Sequence, residues 1–74
     1  MDAVSIRAEL AAAVRRVNAR LHALPEDARP DLRPLWRKFE AEVDGALTLG
    51  GEENARAAIE RWERAALTAI AEAA

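Results

Sequence analysis

The sequence predicts an all-α fold, a small antiparallel three-helix bundle running up-down-up. Three observations predict it. Apolar side chains recur every three or four residues through most of the 74 positions, the spacing of one helical face. Pro25, Pro30 and the Gly50-Gly51 pair fall between these periodic stretches, where helices must end. Nowhere do apolar and polar residues alternate as a half-buried strand requires. The length suits a single helical domain over residues 1–74.

The first helix is expected over about residues 2–23. Asp2 is placed to cap it, with Ser5 as a second candidate. Its apolar stripe is Ile6, Leu10, Val14, Val17, Leu21 and Leu24, and from Leu10 onward the steps are four, three, four, three, a heptad-like seam. Pro25 closes the helix, because the residue before a proline is pushed out of the α region. Residues 25–30, stiffened by two prolines, form a short link suited to antiparallel neighbours.

The second helix is expected over about 31–49. Asp31 is its cap, and Pro34 sits in the first turn, where a missing N–H costs nothing. Leu32, Leu35, Trp36, Phe39, Val43 and Leu47 form the bulkiest apolar face in the chain, the expected centre of the core. Gly45 weakens the helix or marks close packing. Gly50-Gly51 ends it, glycine being able to enter a left-handed C-cap without steric cost.

The third helix is expected over about 52–73, with Glu52 and Glu53 in the first turn where negative charge is favoured. Its core stripe is Ala55, Ile59, Trp62, Ala66 and Ile70, with Leu67 on the flank. Ala58, Ala65 and Ala69 form a narrow neighbouring stripe that allows another helix to approach closely. Glu52–Arg56 and Glu60–Arg64 are spaced as i,i+4 ion pairs. The alternative architecture is a hairpin of the second and third helices with the first projecting into a dimer.

Size and composition then narrow the function. A chain this short buries only about 60% of the surface its unfolded form exposes, and such domains usually add a disulfide, a metal or a second copy. There is no cysteine and one histidine, His22, which excludes disulfides, thiolate metal sites and multi-histidine sites. Dimerisation or a protein partner is the remaining way to complete the core. The first residues lack the order of a signal peptide, and no apolar run approaches a membrane span. The expectation is a soluble, cytoplasmic protein. Lys38 is the only lysine among eleven basic side chains, the bias of a GC-rich bacterial or phage genome. Residues 1–38 carry eight basic and five acidic side chains, and residues 39–74 three and eight. The two halves either compensate each other within one fold or meet those of another molecule.

Enzyme templates fail on inventory, so no catalytic residue, cofactor or metal site is assigned. Ser5 and His22 lie about 25 Å apart along one helix, at 1.5 Å per residue, too far for a nucleophile and its base. Gly50-Gly51 is followed by two glutamates that repel phosphate. His22 reads as a solvated histidine near a helix end. Glu40 with Asp44, and Glu52 with Glu53, read as solvated acidic pairs and lack the turning loop that calcium needs.

A DNA-binding regulator is the alternative function. It would use Arg15, Arg16, Arg20, Arg29, Arg33 and Arg37 in the first half, but a recognition helix opening on Glu52 and Glu53 opposes phosphate contact. The favoured expectation is a non-enzymatic protein-interaction module, self-associating or binding a protein partner. Its candidate surface is a second stripe on the first helix, Ala8, Ala12, Ala19 and Ala23, extended by Val4 and framed by Arg16 and Arg20. Trp62, at the edge of its own stripe, is the candidate anchor, since tryptophan and arginine are enriched at interface hot spots.

Overall fold

The computed structural model describes residues 3–49 and 51–74, with side chains described from Ile6 onward. These residues form α1 (Ala3–His22), a short 3-10 turn (Glu26–Ala28), α2 (Arg33–Leu49) and α3 (Glu52–Ala73), with no strand among them. No helix among them is long and apolar enough to cross a membrane. Asp2 and Gly50, each expected at a helix end, lie outside the described residues, as does the Ser5 side chain.

The last turn of α1 tightens before Pro25. Ala23 N–H donates to the Arg20 carbonyl at 3.3 Å and Leu24 N–H to that of Leu21 at 3.2 Å, the i→i−3 pattern of a narrowing helix end. Arg29 then folds back, its guanidinium donating to the carbonyls of Leu24 (3.1 Å) and His22 (3.4 Å). A cation that satisfies carbonyls at a helix C-terminus also opposes the negative end of the helix dipole.

α2 begins two residues later than the sequence suggests. Trp36 N–H donates to the Leu32 carbonyl, which makes Leu32, not Asp31, the capping residue. Asp31 still serves the helix end. Its Oδ1 accepts the Arg33 N–H at 3.0 Å, while both carboxylate oxygens accept the Arg33 guanidinium at 2.9 Å. These bonds hold the Asp31 carboxyl down to about 2, below its ordinary value of 3.8. At the other end, Gly51 N–H donates to the Ala46 carbonyl at 2.7 Å. Gly51 itself has φ −89°, ψ 71°, outside the left-handed region, and the other glycine of the pair lies outside the described residues. Gly45 faces open space rather than a close neighbour.

The centre of the core is α3, not the bulky face of α2. Both α1 and α2 pack on α3 and hardly on each other. The reason lies in side-chain size. Ala55, Ala58 and Ala66 of α3 are buried, as is Ala13 of α1, and small side chains let helix axes come close from more than one direction. Ile59, Trp62 and Ile70 fill the space between them, against Ile6 and Val17 of α1 and Phe39 and Val43 of α2. Leu32, Leu35, Trp36 and Leu47, the rest of the face expected at the centre, are only half-buried.

Ion pairs flank the α1–α3 seam. Arg16 holds Glu63 with two hydrogen bonds of 2.6 and 2.8 Å, and Arg56 reaches Glu9 at 2.9 Å. The expected i,i+4 pair of Arg56 with Glu52 is also present, at 4.0 Å. On the other flank of α3, Arg61 meets Glu42 of α2 at 3.1 Å.

Candidate functional site

Two surfaces compete for the role, the alanine stripe on α1 and a cleft between α1 and α2. Ala8, Ala19 and Ala23 are exposed, and Ala12 is half-buried. Val4 lies on α1, but its side chain is outside those described. Arg20 is exposed. Arg16 is committed within the chain. Its bonds to Glu63 hold that carboxyl below the ordinary glutamate range, so Arg16 is not a free cation awaiting an acidic partner. Trp62 is only 5% exposed and belongs to the core. It therefore offers no exposed anchor, contrary to the expectation from its place at a stripe edge. The reason is that α2 covers it: the Trp36 and Trp62 rings meet edge to face, 5.2 Å between centroids at 75°, a favoured aromatic geometry.

The cleft is where the large apolar side chains remain accessible. It has a volume of about 530 Å³, within the range of binding pockets in general. Val14, Val17 and Leu21 of α1 form one wall, Leu32 and Trp36 the other, and Trp62 of α3 contributes to its lining. Asn18, Arg29, Pro30, Asp31 and Arg33 complete it. Trp36 is pinned by its indole Nε1, which donates to Glu40 Oε2 at 3.1 Å. The Trp62 Nε1 is buried with no hydrogen-bond partner among the described residues.

The mouth is ordered by its own polar groups. Arg29 is tied to the end of α1, and Asp31 clamps Arg33 at the start of α2. Arg37 lies near enough for its charge to act on Asp31. Two guanidinium groups, those of Arg33 and Arg37, therefore act on one carboxylate. Among the described residues, no three metal-capable side chains gather into a site.

The cleft was not foreseen. Its signal was present in the distribution of small residues: a helix with alanines on its core stripe and on the flank beside it can take two neighbours at once. Those neighbours then need not close on each other. Comparison with protein-family models, curated proteins and solved structures finds no match for this chain.

Proposed function

We propose that the chain is a non-enzymatic helical module that acts by binding protein, either a partner or a second copy of itself, through the cleft between α1 and α2. The observation that carries this reading is the incomplete burial of Val14, Leu21, Leu32 and Trp36 along one open groove. Burying apolar surface is the main favourable term in association, and a domain of this size has few other means of gaining stability.

The helices of this reading form an up-down-up bundle. Glu9–Arg56 and Arg16–Glu63 share one separation of 47 residues, as expected where α1 and α3 run in the same direction. Trp36–Trp62 and Glu42–Arg61 move oppositely along α2 and α3, as expected of an antiparallel pair. A non-enzymatic role in the cytoplasm accords with a chain that has no cysteine and one histidine. A nucleic-acid role is less well supported, because Arg16 and Arg33 are engaged with carboxylates and the groove walls are apolar.

Sedimentation equilibrium over a wide concentration range, at low and high salt, tests the self-associating form. A mass above the 8.1 kDa of one chain that Asn18→Glu lowers would assign the contact to the cleft. A mass lowered instead by Ala12→Glu with Ala19→Glu would assign it to the alanine stripe and remove the cleft from the proposal.

A further inference from the structure

We propose that α2 pairs with α2 of a second copy, the two helices antiparallel about a two-fold axis centred at the height between Lys38 and Phe39. The inference rests on the protein-binding reading above and names its partner, with the α2 wall of the groove as the contact. Arg33, Arg37, Glu40 and Asp44 are spaced four, three and four residues apart, so they share one face of α2. All four are exposed. Trp36, three residues from Arg33 and four from Glu40, borders that face from the groove side.

The first support is the order of these charges. Two cations lead and two anions follow, and each cation stands as far before the axis as one anion stands after it. In an antiparallel pair Arg37 therefore meets Glu40 of the second copy, Arg33 meets its Asp44, and the two-fold repeats both contacts. Trp36 falls opposite Ala41, which is exposed and small enough to leave room for the edge of an indole. A balance of charge, rather than an excess of either sign, is what a self-complementary surface requires.

The second support is that this order disfavours a lone helix. Arg33 and Arg37, and likewise Glu40 and Asp44, are like charges at i,i+4, a destabilising spacing. The helix dipole favours anions in the first turn and cations in the last, and α2 has neither. An antiparallel α2 relieves both, because it sets its acidic half beside the basic half of the first and opposes the two dipoles. The third support is that the groups stay available. Arg37, Glu40 and Asp44 take part in no ion pair among the described residues. Glu40 gives the Trp36 indole only its Oε2. Arg33 is bound to Asp31, yet its side chain remains 81% exposed, so a second carboxylate can reach it.

The test is sedimentation equilibrium on the full chain and its charge-reversal variants, at low and high salt, with circular dichroism confirming that helix is retained. The parent is expected to dimerise, more weakly at high salt. Arg37→Glu should weaken the dimer at least about tenfold, since it sets two like-charge contacts across the axis. Adding Glu40→Arg to it should restore the dimer, because those two positions meet. Arg33→Glu with Asp44→Arg should likewise dimerise, and it leaves the Trp36–Glu40 bond in place. Arg37→Glu with Asp44→Arg has the same net charge as either matched double but mismatches the pairs, and should stay dissociated. Matched and mismatched doubles that behave alike overturn the inference. If the dimer ignores every reversal and is broken instead by Asn18→Glu, the inference fails while the protein-binding reading stands through the α1 wall. A chain that is monomeric at every concentration overturns the inference and, with it, the self-associating form of that reading.

Discussion

α1 faces two very different environments. On the side toward α3, Ala13 and Val17 are buried against a helix whose buried positions include Ala55, Ala58 and Ala66, and the seam is flanked by Glu9–Arg56 and Arg16–Glu63. On the side toward α2, Val14 and Leu21 are larger than the alanines yet remain half-buried above an open groove. Bulk alone does not decide what is buried in a small domain. The seam closes where side chains are small enough for backbones to approach, and the larger residues are left where two helices fail to meet.

Removing the piece shared by both regions should have the largest effect. Trp62 is buried against α2 and also lines the groove, so Trp62→Ala is expected to cost about 3–5 kcal/mol, the range for truncating a buried aromatic, read from urea unfolding. A loss below about 1 kcal/mol would mean that α3 is not the centre of the core.

Enlarging a residue separates the two regions more sharply. Ala66 is fully buried, and Ala66→Leu should destabilise by about 1–3 kcal/mol through overpacking. Asn18 lines the groove and is exposed, so Asn18→Leu should leave stability within about 0.5 kcal/mol of the parent. Similar costs at the two sites would erase the distinction between closed seam and open groove.

The smallest effect expected is that of acid. Asp31 and Glu63 have folded pKa values below their ordinary ones, held there chiefly by hydrogen bonds from Arg33 and Arg16. The unfolded chain therefore takes up protons first as pH falls. The stabilisation from these carboxylates is present above about pH 4.5 and is lost between there and about pH 2, the folded value of Asp31. The urea midpoint should drop modestly over that window, and Glu63→Gln should make the drop smaller. A parent and variant with superimposable pH profiles would show that the Arg16–Glu63 pair adds nothing to stability.

Much of the fold was legible in the sequence. The apolar period placed all three helices, and on α3 every expected core residue, Ala55, Ile59, Trp62, Ala66 and Ile70, is buried. Pro25 sits just beyond α1 as expected. What periodicity left open was which helix the others surround. A stripe shows that a face is apolar but not which neighbour covers it, and the weight of Trp36 and Phe39 drew attention to α2 when the alanines of α3 marked the centre. The same ambiguity hid the groove. Side-chain partners were less legible still: Arg56 keeps the expected Glu52 at 4.0 Å but also holds Glu9 of α1 at 2.9 Å, and Asp31 serves Arg33 from one position before the cap. Those choices depend on which helices are adjacent, which local spacing does not encode.

The openness of the groove is tested most directly by acrylamide quenching of two single-tryptophan variants at dilute protein concentration. Trp62→Phe leaves Trp36, half-buried at the groove wall, and Trp36→Phe leaves Trp62, 5% exposed. An open groove over a closed core predicts clearly stronger quenching of Trp36 than of Trp62. Equal protection of the two indoles in a monomeric chain would mean that α1 and α2 close over one another, and that no groove is present for a partner to fill.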